Sequence, residues 1–366
     1  FRDKDVYCSI SFLLMTKHHH MLRLILPILV LFLTFSCSEQ PELLKNNDPN
    51  KYDAFKDIVW ASPGGFGLTM DIYTPRKGEE PYPILVIYHG GGWLINDKSI
   101  MDQMSKYLAT NSKYVICNVN YRLLSDNDNT ITLNQTIEDA FGAILWIKDN
   151  IADYKGDKTK IAVTGDSAGG HLSATIVNMG THLSSSQFFD KTLRFNPSYL
   201  PKGETAEQVA ERKGLEVQAA ILSYGSFDIY QASLNGFEEI KNPFWIMSGS
   251  KARGIFGEAF NAIDNAEMYK AVSPIYNIPK SDKRKLPPQL LTVGTEDNLV
   301  TPKSVKDYIK NLESSGHNTQ YWEYEGRSHA FLDSGSNFFI GSSFEEHAPQ
   351  AIDVMINFLD TVFYPG

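Results

Sequence analysis

The chain has 366 residues, 42% of them hydrophobic and 21% charged, enough for one large α/β domain or two small ones. Its formal net charge of -9 argues against a nucleic-acid binder, which would carry a basic face, and reads as plain solubility rather than a device for cationic substrates. Three scattered cysteines, Cys8, Cys37 and Cys117, are too few for a disulfide framework or a zinc site.

The N-terminus speaks to address. From Met21 one Arg precedes an apolar run that ends at Ser36-Cys37 and a polar stretch. The run is shorter than the about 20 residues a membrane span needs and fits a secretory signal. Its closing Cys37 resembles a bacterial lipoprotein signal, which implies a lipidated, membrane-attached and exported mature chain. Residues 1–20, with no starting Met and with His18-His19-His20, read as upstream translated sequence outside the fold, and 38–54 as a polar linker.

From about residue 55 strands and helices alternate. Ile58 to Ala61 and Leu68 to Tyr73 predict a hairpin around Pro63-Gly64-Gly65. Ile84 to Tyr88 and Tyr114 to Asn120 are short apolar runs that mark strands buried on both faces, with a helix over Met101 to Thr110 between them. Thr136 to Ile151 carries a helical apolar stripe, and Asn134 suits its cap. Lys160 to Thr164 predicts a strand and Ala168 to Met179 a helix. Val217 to Tyr224, Leu290 to Val293 and Gln320 to Tyr324 predict three more strands. Helices follow over Pro302 to Ser315, with proline in the first turn, and Pro349 to Val362. This order predicts one α/β domain over 55–366, a mostly parallel sheet with helices on both faces. Two excursions, about 181–214 and 227–271, break the rhythm and are candidates for a substrate cover.

Chemistry concentrates where strands end. Gly165-Asp166-Ser167-Ala168-Gly169-Gly170 joins a predicted strand to a predicted helix. A Ser flanked by Gly at both second neighbours can occupy a strained turn that exposes its hydroxyl, and the Ala168 N–H then lies at a helix N-terminus, where negative charge is favoured. His89-Gly90-Gly91-Gly92-Trp93 follows the strand ending at Tyr88, and three glycines let backbone N–H groups approach a bound oxyanion. His89 reads as a structural hydrogen-bonder in that loop. A hydroxyl needs a base and the base an orienter. The loops with Asp297 and His329 both follow strand ends, at the sheet edge where sites assemble. The chain order Ser, Asp, His is that of one known triad topology. The rivals to His329 are His171, His182, His317 and His347. Glu296 competes with Asp297, and Asp228, after the strand ending at Tyr224, is placed as a substrate contact.

His89 to Trp93, Asn120-Tyr121-Arg122-Leu123, Gly165 to Gly170 and the Asp297 and His329 loops together resemble the hormone-sensitive-lipase-like esterases of the α/β-hydrolase superfamily, from about Lys56 to the C-terminus. The resemblance implies an α/β-hydrolase fold and cofactor-free, metal-free cleavage of short acyl esters. It also implies an oxyanion hole of the Gly91, Gly92 and Ala168 amides, with Trp93 near the substrate. Two departures stand out. Leu124-Ser125-Asp126-Asn127 replaces the family's Ala-Pro-Glu after Tyr-Arg-Leu, and the extra length lies mid-chain rather than in an N-terminal cap. Both bring carbohydrate-deacetylating and feruloyl-type esterases, with glycan ester substrates, into the comparison. The same residues also fit a peptidase or amidase, or a non-catalytic binding module on a hydrolase fold.

Overall fold

The computed structural model describes residues 50–365 apart from 79, 191 and 339. The signal-like segment, Cys37 and residues 1–20 lie outside the described residues. Eight strands form the central sheet: β1 (Tyr52–Ala61), β2 (Leu68–Pro75), β3 (Tyr82–Tyr88), β4 (Val115–Val119), β5 (Gly156–Asp166), β6 (Ala219–Ser223), β7 (Gln289–Gly294) and β8 (Thr319–Tyr324). Their order is β1-β2-β4-β3-β5-β6-β7-β8. β2 pairs antiparallel with both its neighbours, and every pairing from β4 to β8 is parallel. The strand at 52 takes up the end of the expected linker. Its second half is the expected strand at Ile58 to Ala61; its first half stayed hidden in the sequence because it lies on an edge strand, is exposed over Phe55, Lys56 and Asp57, and carries no apolar run.

The central strands β3, β4, β6 and β7 are buried along their whole length, as parallel strands covered on both faces must be. Five long helices supply the cover: α1 (Asp102–Asn111), α2 (Leu133–Asn150), α3 (Ala168–Met179), α4 (Pro302–Ser314) and α5 (Phe344–Phe363). α1 and α5 pack together, tied by Tyr107 Oη to Asp353 at 2.9 Å, while α2 packs on α3. α2 begins earlier than its apolar stripe suggested. Its cap is Thr132, in a capping box with Gln135, whose side chain accepts from the Thr132 N–H at 2.9 Å; Asn134 lies inside the helix. α5 also starts earlier and carries Pro349 internally. No helix among the described residues is long and apolar enough to cross a membrane.

Parallel register aligns the strand ends. Tyr88 pairs with Gly165, Asp166 with Ser223, Ser223 with Thr292 and Gly294 with Tyr324. The loops leaving β3, β5, β6, β7 and β8 therefore emerge along one edge of the sheet. The two excursions are built from short helical turns, among them Ala206–Glu211 in the first and Pro243–Ser248 and Ala266–Ala271 in the second. Their aromatics interlock: Phe188 stacks on Phe256 at 5.6 Å between centroids, and Phe189 on Phe260 at 5.5 Å.

Candidate active site

Ser167 joins β5 to α3 with φ +51° and ψ −114°, a region costly for a side-chain-bearing residue and characteristic of functional turns. Its backbone is held on both sides: the N–H donates to Ser223 O at 3.0 Å, and the carbonyl accepts from His171 N at 3.1 Å. The flanking glycines are needed for space. A Cβ on Gly165 would strike the Gly169 backbone, one on Gly169 would strike the Tyr88 carbonyl, and one on Gly170 would come within 2.8 Å of the Gly225 Cα. The Ala168 N–H opens α3, among the donors that a helix leaves without an internal partner.

Beside this turn runs the loop after β3. Gly91 has φ +116° and Gly92 φ +60°, both of which favour glycine. The Gly91 carbonyl accepts from Leu94 and Ile95 at 3.1 Å, closing the loop on itself. A Cβ on Gly92 would come within 2.7 Å of the Phe244 ring, so the second excursion reaches over the glycine loop. His89 is buried, with its ring stacked on Tyr121 at 4.3 Å and its carbonyl accepting from Tyr121 Oη at 2.6 Å. Burial pushes its pKa down to about 4, so it is a neutral structural group.

The loops after β7 and β8 meet directly. His329 Nδ1 lies 2.7 Å from Asp297 Oδ2, and Asp297 Oδ1 accepts from Leu299 N at 2.9 Å and Val300 N at 2.8 Å. Asp297 is buried, whereas its rival Glu296 is exposed. The His329 ring stands against Tyr224 at 4.8 Å between centroids. Tyr224, with φ +36°, leaves β6 beside the Ser167 turn and accepts from Leu332 N at 3.3 Å through its hydroxyl. Among the described residues the Ser167 hydroxyl donates no hydrogen bond to His329; such contacts are often loose without substrate. Three of its rivals are engaged elsewhere, His347 among them, whose Nδ1 accepts from Ser343 N at 3.1 Å. His171 is buried in α3, accepting from Trp93 Nε1 at 3.1 Å and donating to Val272 O at 2.8 Å, with its pKa lowered by burial to about 4. His317 donates to Pro279 O at 2.7 Å, before β8 and away from the strand ends that carry the site.

The two expected substrate contacts, Trp93 and Asp228, both have polar atoms engaged within the protein. Trp93 is 3% exposed, its indole N–H spent on His171 and its ring edge-on to Phe237 at 5.4 Å. Asp228 caps the turn at Ile229, accepting from Gln231 N and Tyr276 Oη at 3.0 Å each. The sequence placed Trp93 next to the glycine loop but could not show that His171 would take its N–H. Among the described residues no group of three or more His, Cys, Asp or Glu side chains is arranged to hold a metal.

Arg122, from the Tyr-Arg-Leu segment, lies behind the site. It grips Asp139 through Nε at 2.8 Å and Nη2 at 2.6 Å. Arg253 in the second excursion donates to the carbonyls of Leu124, Asn129 and Ile131 at 2.9, 2.8 and 2.6 Å, fastening the excursion to the loop that departs from the resembled pattern.

The model of the BD-FAE family matches residues 70–312, which spans the glycine loop, the Ser167 turn and Asp297. The chain belongs to the BD-FAE family. Its sheet and helices are those of the α/β-hydrolase fold. A thermophilic esterase, Est2, of the Planctomycetes species Thermogutta terrifontis superposes with a TM-score of 0.59 at 20% identity, over 86% of this chain and 93% of the esterase. In sequence, this BD-FAE member is 30% identical to carboxylesterase NlhH of Mycobacterium tuberculosis over 38% of the chain and 39% of that enzyme. It is 28% identical to esterase LipQ of the same organism over 77% of the chain and 58% of LipQ. The chain thus spans about two fifths to three fifths of the length of these curated relatives.

Proposed function

We propose that this chain is a serine hydrolase of carboxylic esters, with Ser167 as nucleophile, His329 as base and Asp297 as orienting acid. The observation that carries the reading is the 2.7 Å contact between His329 Nδ1 and Asp297 Oδ2, on the same sheet edge as the strained Ser167 turn. Ser167 attacks the ester carbonyl and gives its proton to His329 Nε2, while Asp297 holds the Nδ1 proton and steadies the imidazolium. The amides of Gly91, Gly92 and Ala168 receive the oxyanion. His329 then returns the proton to the leaving alcohol and activates water against the acyl-enzyme. Phe244 over Gly92 and the 7% exposure of Ser167 support short acyl groups.

The test is hydrolysis of p-nitrophenyl esters from acetate to dodecanoate by the protein and its Ser167→Ala variant. Turnover should fall with chain length and drop on the order of 10⁶-fold in the variant. Equal rates in the two proteins would remove Ser167 from the mechanism. Acid release confined to acetylated or feruloylated glycans would move the substrate to carbohydrate esters, and activity confined to anilides would move it to amides. Export and lipid attachment at Cys37 extend the reading from the N-terminal sequence; membrane-bound esterase activity that persists in Cys37→Ser would refute the anchor.

A further inference from the structure

Directly beneath the nucleophile lies a carboxyl group that the mechanism above leaves unused. Asp166, the last residue of β5, is 2% exposed. Its Oδ2 fills the space where a Cβ on Gly90 would stand, and the backbone N–H groups of Gly90 and of Asp166 itself are directed at the carboxyl. A second carboxyl, Asp333, lies within hydrogen-bonding reach of it. Asp333 comes from the His329 loop, where its N–H closes a turn onto Ala330 O at 3.3 Å.

Asp166 Oδ1 and Asp333 Oδ1 are both shielded from water, and no protein donor reaches either one. Two ionised carboxylates cannot share such a place, because two buried anions would face each other and Asp333 would have no donor to compensate it. One proton between them removes the conflict: it gives Asp333 a hydrogen to donate and Asp166 a partner, and it leaves a single negative charge. Burial and the neighbouring Asp166 charge both push the Asp333 carboxyl well up; burial raises Asp166 too, but His329, the amides directed at it and the Asp333 contact hold it to about 6, which assigns the proton at neutral pH to Asp333.

We propose that Asp333 and Asp166 form an acid–carboxylate pair that locks the His329 loop and the Gly90–Gly92 loop to the nucleophile turn. Asp333 is thereby a positioning residue for the reaction proposed above, on which the inference rests. The pair spans three of the loops that form the site. Asp333 fixes the segment that carries His329, and Asp166 is continuous with Ser167. Through Gly90, Asp166 also orients the two glycine amides that follow. The remaining titratable groups around it are His329, which interacts with the Asp166 charge, and two buried tyrosines, Tyr121 and Tyr224, whose ionisation is pushed up first by burial and then by Asp166. Both tyrosines therefore stay neutral, and the pair keeps one charge.

The test uses the whole chain with Asp333→Asn and Asp333→Leu. An asparagine amide can still donate to Asp166, whereas leucine cannot. Asp333→Asn should keep kcat within about threefold of wild type. Asp333→Leu should lose about 100-fold in kcat at little changed KM, the scale of a catalytic geometry displaced by about an ångström. Independently of turnover, the infrared spectrum at neutral pH should show the carbonyl stretch of a protonated carboxylic acid in the wild type, absent from Asp333→Asn. A spectrum unaltered by Asp333→Asn overturns the pair even if Asp333→Leu fails to fold. Loss of kcat in Asp333→Asn as deep as in Asp333→Leu overturns the donor role, and a fully active Asp333→Leu overturns positioning. If wild type and Ser167→Ala are equally inactive on esters, the esterase reading fails, while the infrared band still decides the pair.

Discussion

Replacing Asp297 by Asn changes one atom and tests the orienting role with little disturbance of the fold. In the structure Asp297 Oδ1 accepts the N–H groups of Leu299 and Val300, and Oδ2 faces His329 Nδ1. An asparagine has only one acceptor oxygen. The two backbone N–H groups are fixed by the loop, so the amide oxygen stays with them and the NH₂ group turns to His329. Nδ1 must then accept, which places the imidazole proton on Nε2, where a base for Ser167 needs a lone pair. Wrong-tautomer trapping of this kind costs about 10⁴ in kcat in a serine protease, or about 5 kcal/mol of transition-state stabilisation. The assay is steady-state hydrolysis of p-nitrophenyl acetate, with urea unfolding alongside to confirm that stability is preserved. A kcat within tenfold of wild type, in a variant that folds normally, would refute the tautomer argument and reopen the choice of acid.

His171 gives a prediction in pH. Its folded pKa of about 4 lies below the unfolded value near 6.5, so the unfolded chain binds the proton first; the stability from burying it neutral is complete above about 6.5 and is lost as pH falls towards 4. His171→Gln keeps one donor and one acceptor without the charge. The stability advantage of wild type over this variant should shrink by about 3 kcal/mol across that window, measured by urea unfolding at stepped pH, and a constant difference would contradict it. The buried Arg122–Asp139 pair predicts a large structural effect. Asp139 is fully buried, so Arg122→Ala leaves an uncompensated charge and should cost about 3–5 kcal/mol by the same unfolding measurement; a loss below about 1 kcal/mol would show that Asp139 finds other support.

The sequence shows the Ser167 turn clearly because steric demand and spelling coincide there. Gly165 and Gly169 are required by backbones that leave no room for a Cβ, and the helix bounds of Ala168–Met179 follow directly. Strand ends placed Asp297 and His329 on one edge because parallel register carries them there. What stayed hidden depends on neighbours distant in the chain. Nothing near Trp93 or Asp228 signals that His171 or a helical turn will occupy their polar atoms. Asp333, Asp166 and Tyr224 gain meaning only when the loops after β5, β6 and β8 are folded against one another. The first half of edge strand β1 escaped because it is exposed, and the cap of α2 because Thr132 precedes the apolar stripe by several residues.

The Arg253 clamp separates two kinds of evolutionary freedom in this molecule. Its guanidinium gathers carbonyls from a stretch of chain more than a hundred residues away, so drift in that stretch is tolerated as long as the backbone path survives, except at Asn129, whose side chain donates to the Lys251 carbonyl at 2.9 Å. The exposed Ile246 and Met247, two and three residues beyond Phe244 on the same short helical turn, are under no comparable restraint. Selection can therefore remodel what the segment offers to an incoming molecule while its seat remains fixed. A library randomised at 246 and 247 with Arg253 retained should yield folded proteins of altered substrate preference, and the same library built without Arg253 should yield far fewer.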